Sequence, residues 1–265
     1  MSDEVLLVNR DGPVVELTLN RPKVMNAMNQ ALVARLTEVM KTLETDKDLR
    51  AIILTGNGRA FSAGVDLKEL SEKPGAIEDM KWYGDDSVFD LMRRSQIPMI
   101  AAINGVAVTG GLELAMMSDF MIASDAARFA DTHARVGITP SWGMTQVLPL
   151  LIGINRARQM SLTGEFVSAQ KACDWGLVNE VVPADQLMTR ARALAAQIAE
   201  TDHVTMSRLR TLINASAETT LSEGLACEVE LFDTHLAGVT PDQVGTNRAK
   251  VTERGRKIAG TGEQA

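Results

Sequence analysis

The sequence predicts an α/β core followed by an all-helical region. Short apolar runs of strand length, such as Ala51 to Leu54 and Met99 to Ile103, alternate with helical patterns as far as Val182. The succession of strand, glycine-bearing loop and helix recurs three or four times, which points to stacked ββα-type turns. Beyond Ala184 only helical segments remain, over about 184–200, 204–216, 219–236 and 241–257. These features divide the chain into a core over 1–185 and a helical region over 186–265.

In order, Val5 to Val8 and Val14 to Leu19 flank the turn signal Asp11-Gly12-Pro13 and form a hairpin. Leu32, Leu36, Val39, Met40 and Leu43 recur at helical spacing, so Asn29 to about Glu44 is an amphipathic helix. Ala51 to Leu54 is a buried strand closed by Thr55-Gly56-Asn57-Gly58. Residues Phe61 to Leu70 start small and loop-like and end helical. The charged stretch from Ser71 to Gly84, broken by Pro74-Gly75, is expected to be the most mobile part. A helix from about Ser87 to Ser95 leads to Pro98. Phe120 to Ala123 and Arg128 to Ala130 are brief strands, and 131–137 is a polar loop or short helix. Thr139-Pro140-Ser141-Trp142-Gly143 opens another helix, with Pro near its start. Asn155 to Leu162 is helical, Ser168 caps a short helix ending at Gly176, and Leu177 to Val182 is a strand stopped by Pro183.

The stretch from Pro98 to Asp119 organises the rest. An apolar strand, Met99 to Ile103, is followed by Asn104-Gly105, a second apolar patch, Gly110-Gly111, and the helix-forming run Leu112 to Met117. That run is apolar on every side, so as a helix it is buried. Glu113 breaks the pattern. A buried carboxylate without a partner is costly. The glycines allow close approach of backbone and ligand, and a helix start presents unpaired N–H groups. An acid beside aimed amide donors suits enolate or oxyanion chemistry. The plainer reading is an acid that complements a helix dipole, with glycines for packing.

The composition is that of a globular chain: 265 residues, 45% hydrophobic and 23% charged. A net charge of −7 and a pI near 5.1 argue against nucleic acid as the partner. Cys173 and Cys227 fit no metal-ligand spacing and are too few for a disulfide scaffold, so a reducing, cytoplasmic setting is expected. The N-terminus has neither signal-peptide nor transit-peptide character, and no run reaches membrane-spanning length. The fourteen methionines are core filler. No metal is expected.

Three separated blocks carry a resemblance: Phe61 to Glu69, Ile97-Pro98 through Asn104-Gly105, and Gly110-Gly111-Leu112-Glu113-Leu114-Ala115. Together with Ser161 to Gly164, Ala169 to Ala172 and Trp175 to Val178, they resemble the crotonase superfamily of enoyl-CoA hydratases and isomerases over roughly residues 5–185. The resemblance implies a crotonase-like spiral of ββα units with a C-terminal helical trimerisation region, assembled as a homotrimer or a hexamer of paired trimers. It implies an acyl-CoA thioester as substrate, with coenzyme A part of the substrate and no separate cofactor. The backbone N–H groups of Val65 and Gly110 would hold the thioester oxygen. Ala63, Asp66, Leu67, Lys68 and Gly111 would line the pantetheine and adenine path. Lys23 and Lys68 are candidate phosphate neighbours, with plain solvation as the bland alternative.

Hydratases of that family use two acids. One matches Glu113. The second falls in a block that here reads Phe129-Ala130-Asp131-Thr132-His133, which puts His133 at the position of the second glutamate. An imidazole can activate water or deliver a proton near neutral pH. Its structural alternative is a histidine tied by Thr132 and Arg135. Asp131 is a further candidate whose alternating orientation points it elsewhere. The C-terminal segment Asp242 to Lys250 also departs from the family pattern, and Lys250, Arg254 and Arg256 read as contacts lent to a neighbouring subunit's adenine pocket or, the preferred alternative, as charges near a helix C-terminus. The expected reaction is syn hydration of a 2-enoyl-CoA to a 3-hydroxyacyl-CoA. Its rivals are a Δ3,Δ2-enoyl-CoA isomerase or other CoA-enolate chemistry using Glu113 alone, and a catalytically silent CoA-binding homologue.

Overall fold

The protein is described by a computed structural model covering residues 4–73, 75, 82 and 84–261. Much of the stretch from Ser71 to Gly84, expected to be mobile, lies outside the described residues. Ten strands are present among them: β1 (Leu6–Asp11), β2 (Val14–Leu19), β3 (Ala51–Gly56), β4 (Ala60–Ser62), β5 (Met99–Ile103), β6 (Val106–Val108), β7 (Phe120–Ser124), β8 (Arg128–Ala130), β9 (Val167–Ser168) and β10 (Glu180–Val182). The helices of the core are α1 (Gln30–Leu43), α2 (Leu67–Glu72), α3 (Val88–Arg94), α4 (Gly110–Met116), α5 (His133–Val136), α6 (Met144–Ile152), α7 (Ile154–Thr163), α8 (Ala169–Trp175) and α9 (Leu187–Ala199).

The strands form two sheets, ordered β1-β2-β3-β5-β7-β10 and β4-β6-β8-β9. The chain visits them alternately. Each of the pairs β3–β4, β5–β6 and β7–β8 gives its first strand to the larger sheet and its second to the smaller, then continues into helix. Strands from successive pairs lie parallel, as β3 on β5, β5 on β7, β4 on β6 and β6 on β8. These are the stacked ββα units that the strand–loop–helix recurrence predicts, arranged as the spiral that the resemblance implies.

Coverage of both faces explains why the central strands β3, β5 and β7 of the larger sheet are almost wholly apolar. Ile52, Leu54, Ala101, Ile103, Met121 and Ala123 face the main core. Their neighbours Ala51, Ile53, Ile100, Ala102 and Ile122 face the opposite way, onto Leu187, Ala191 and Ala195 of α9. With both faces covered, neither can be polar. Arg192 of α9 makes a bidentate pair with Glu16 of β2, at 2.9 Å from Nη2 to Oε2, and the same contact raises the arginine's pKa.

Chain contacts divide the molecule into residues 1–203 and 204–265. The boundary falls later than 185/186 because α9 packs its buried face on the sheet and so belongs to the first unit. The second unit holds α10 (His203–Ala215) from Val204 onward, α11 (Leu221–Leu236) and α12 (Pro241–Thr261). A groove of about 460 Å³ runs between α10 and α11, lined by Leu209, Leu212, Ile213, Leu231 and Phe232. Because α12 continues to Thr261, Lys250, Arg254 and Arg256 stand in its interior and not in its last turn.

Local differences from the sequence reading have physical causes. Leu177 and Val178 are buried but lie outside β10, because the Leu177 N–H closes the end of α8 on the Ala172 carbonyl. Pro140 stays outside α6, which starts at Met144 behind Gly143 (φ 111°) and carries Pro149 within it. The two residues of β9 are too few to make a pattern. Among the described residues no helix is long and apolar enough to cross a membrane.

Candidate active site

Glu113 lies on the first turn of α4, and 1% of its surface is exposed. Its Oε1 accepts hydrogen bonds from two main-chain N–H groups, Trp142 at 3.0 Å and Met144 at 3.1 Å. The segment between Pro140 and Met144 is thus kept out of helix to wrap this oxygen. Both donors are spent on Oε1, which leaves Oε2 to hold or pass a proton. Oε2 lies 3.5 Å from Nε2 of His133.

His133 opens α5 and is 8% exposed. Its Nδ1 lies 2.7 Å from Oδ1 of Asp131, and the same oxygen accepts the His133 N–H at 3.1 Å. Asp131 is 1% exposed and also accepts a hydrogen bond from Ser161. Asp131 therefore does not point elsewhere. The chain turns into α5 directly after β8, so strand alternation no longer governs where its side chain goes. The expected tethers of His133 act elsewhere: Thr132 bonds Thr109, and Arg135 bonds the Thr163 carbonyl at 2.9 Å.

The result is a buried chain, Asp131–His133–Glu113, of carboxylate, imidazole and carboxylate. Burial by itself depresses the imidazole pKa. The hydrogen bonds to Asp131 and Glu113 and the charges of both outweigh it, and His133 is raised from 6.5 to about 9. At neutral pH His133 is an imidazolium. Burial pushes Asp131 up, but hydrogen bonds from His133 and Ser161 prevail and hold it below the usual carboxylate range.

The two amides expected to hold a thioester oxygen lie on adjoining loops. A Cβ placed on Gly64 (φ 88°) would sit 3.1 Å from the Val108 carbonyl and 3.3 Å from the Gly110 nitrogen, so the loop bearing Val65 lies against the start of α4. Among the described residues neither the Val65 nor the Gly110 N–H donates a hydrogen bond, although their neighbours do: Asp66 N–H to Met28 and Leu112 N–H to Thr109. Gly111 has no room for a side chain, since a Cβ there would lie 2.3 Å from the Ser62 carbonyl.

The loop is braced from beneath. Asn26, fully buried, donates to the Ala60 and Asn57 carbonyls at 2.8 and 3.0 Å, and Ser62 Oγ donates to the Asn26 carbonyl and accepts from Gly64. Asp66 caps α2 by accepting from Glu69 and pairs with Arg21 at 2.9 Å, so its carboxylate already has protein partners. Ala63 is half-buried, Leu67 and Lys68 are exposed on α2, and Lys68 lies 4.0 Å from Glu72. Lys23 is exposed on the short 3₁₀ turn Pro22–Val24. Trp142 stacks on Phe89 with ring centroids 4.1 Å apart and on Trp82 at 5.8 Å, and its ring edge would meet a Cβ on Gly110 at 2.7 Å. Phe89 and Trp82 thus reach the site from the chain ahead of Pro98.

Four groups escaped the sequence reading: the Trp142 and Met144 amides, the Asn26 brace and the Thr109–Thr132 contact. The amides leave no mark in residue letters. Asn26, beside Met25 in the left-handed region (φ 54° for both), had one weak signal, an asparagine just after a proline turn. Among the described residues no group of three or more His, Cys, Asp or Glu is placed to hold a metal ion.

An acid–base chain shielded from water, beside two undonated amides, defines an enzyme site. The family model for enoyl-CoA hydratase/isomerase matches residues 9–242. A short-chain-enoyl-CoA hydratase of Clostridium acetobutylicum is 36% identical over 258 residues, covering 96% of this chain and 97% of that one. A 2,3-dehydroadipyl-CoA hydratase of Escherichia coli is 37% identical over 230 residues, covering 86% and 88%. Among solved structures, an enoyl-CoA hydratase from Bacillus anthracis superposes with a TM-score of 0.85 at 30% identity, covering 94% of this chain and 97% of that one. The chain belongs to the enoyl-CoA hydratase/isomerase family.

Proposed function

We propose that this protein adds water across the double bond of a 2-enoyl-CoA to give a 3-hydroxyacyl-CoA. The buried Asp131–His133–Glu113 chain carries the reading. In it, Glu113 Oε2 takes a proton from water as the water oxygen bonds to C3. The C2–C3 π electrons move onto the thioester oxygen, where the Val65 and Gly110 N–H groups stabilise the enolate. The enolate collapses and C2 takes a proton from the His133 imidazolium. Glu113 is then protonated and His133 neutral. A proton passing from Oε2 to Nε2 across their 3.5 Å contact restores the starting state, so one water is added and nothing else is consumed. Ala63, Asp66, Leu67 and Gly111 frame the path of the coenzyme, and Lys23 and Lys68 are its exposed cations.

Crotonyl-CoA is the test substrate. Loss of the conjugated enoyl-thioester absorbance should accompany a product heavier by one water, read by mass. A panel of 2-enoyl-CoA esters from which none yields a water adduct sinks the proposal, and conversion of 3-enoyl-CoA without hydration moves it to isomerisation.

The same reading includes a homotrimer or paired trimers, acting in the cytoplasm. It is supported by apolar side chains exposed on α10 and α11, among them Ile213 (68%), Val229 (61%) and Phe232 (57%), and by two free cysteines. Light scattering should give three or six times 28.6 kDa, and a monomer refutes it.

A further inference from the structure

Thr109 precedes Gly110 and has φ 55° and ψ −124°, a region that favours glycine. Such a conformation persists only where its surroundings over-determine it, and every polar atom of Thr109 is engaged. Its N–H donates to the Ala130 carbonyl at 3.0 Å. Its carbonyl accepts from the Leu112 and Glu113 N–H groups at 3.0 Å each. Its hydroxyl is hydrogen-bonded to the Thr132 hydroxyl and accepts the Thr132 N–H at 3.3 Å. Thr132 lies between Asp131 and His133 in sequence.

We propose that the Thr109–Thr132 pair is a positioning strut that fixes the Gly110 amide and Glu113 on one side against Asp131 and His133 on the other. The inference rests on the catalytic reading above, because the strut matters only if those groups act together. Three facts support it. The strained residue immediately precedes the undonated amide, its carbonyl anchors the Glu113 backbone, and its hydroxyl reaches the histidine-bearing turn. Without the hydroxyl pair, Thr109 keeps its backbone bonds but loses the short side-chain tie to the histidine-bearing turn, so the Gly110 N–H and Glu113 on one side can shift against Asp131 and His133 on the other. A misplacement of about 1 Å at a reacting centre costs on the order of a hundredfold in rate.

Thr132→Val keeps the shape and removes the hydroxyl. The expected result is a kcat for crotonyl-CoA lower by roughly tenfold to a hundredfold with KM within about threefold, and recovery in Thr132→Ser. Thr109→Gly, which relieves the backbone, should melt no lower than wild type yet show the same loss of kcat. A second readout needs no turnover. Acetoacetyl-CoA carries an acidic C2 proton between two carbonyls and offers the site an enolate, whereas butyryl-CoA offers only a neutral thioester, so Thr132→Val should weaken the first about tenfold while sparing the second. A Thr132→Val protein with unchanged kcat and an unchanged ratio of the two affinities overturns the strut. If wild type does not hydrate any enoyl-CoA, the hydratase reading fails, while the affinity ratio still decides the strut.

Discussion

Glu113→Gln lowers kcat for crotonyl-CoA hydration by roughly 10²–10⁴-fold, the range expected on removing a positioned acid–base group. The fold should survive the change. The amide oxygen of glutamine can still accept from the Trp142 and Met144 N–H groups, which are 3.0 and 3.1 Å from Oε1 in the native protein. Thermal melting should therefore move by only a few degrees, against a rate loss of several orders. The variant also removes one of the two negative partners of His133, so the imidazole pKa, about 9 in the native protein, must fall. Ring NMR of His133 in Glu113→Gln should record that drop independently of activity. A variant that keeps within tenfold of the native rate leaves Glu113 without a catalytic role.

The fold was legible because its signals are local. Met99 to Ile103 is an uninterrupted apolar run since both faces of the larger sheet are covered, by the main core and by α9. Asn29 caps α1 by accepting from Leu32, and Ser168 caps α8 by accepting from Lys171, as their residue types suggest. The edge of the core was misplaced because α9 carries an ordinary amphipathic pattern. Such a pattern says that a face is buried, not against which partner.

The site was legible where a residue type breaks its surroundings. Glu113 stands out as one acid in an apolar helix, and the glycines ahead of it explain their own presence, with no space for a Cβ at Gly111. What stayed hidden is made of backbone. The amides that hold Glu113 belong to Trp142 and Met144, about thirty residues away, and any residue but proline supplies such a donor. Asp131 is visible in the sequence, but strand alternation points its side chain the wrong way, because β8 ends at Ala130 and the chain turns there into α5.

Asp131→Asn is the variant that separates a working imidazolium from a structural histidine. With His133 at about 9, the native enzyme holds its acid charged through neutral pH, and kcat/KM should decline on an alkaline limb near pH 9. Asparagine can still accept from Nδ1 but carries no charge. The His133 pKa then falls toward 6.5, and the alkaline limb should move down by at least about one pH unit, with a loss of roughly twofold or more at pH 8. The stability profile follows with a definite sign. A folded-state pKa raised above the unfolded value gives stability that is complete below pH 6.5 and is lost as pH rises through about 9. The native protein should therefore lose on the order of 2–3 kcal/mol between pH 7 and a pH above 9, and Asp131→Asn distinctly less. His133→Ala should abolish the limb and most of the rate together. If instead the limb stays in place in Asp131→Asn while His133→Ala hydrates crotonyl-CoA at the native rate, the proton at C2 comes from another group, and the Asp131–His133 pair only fastens the turn after β8 to the core.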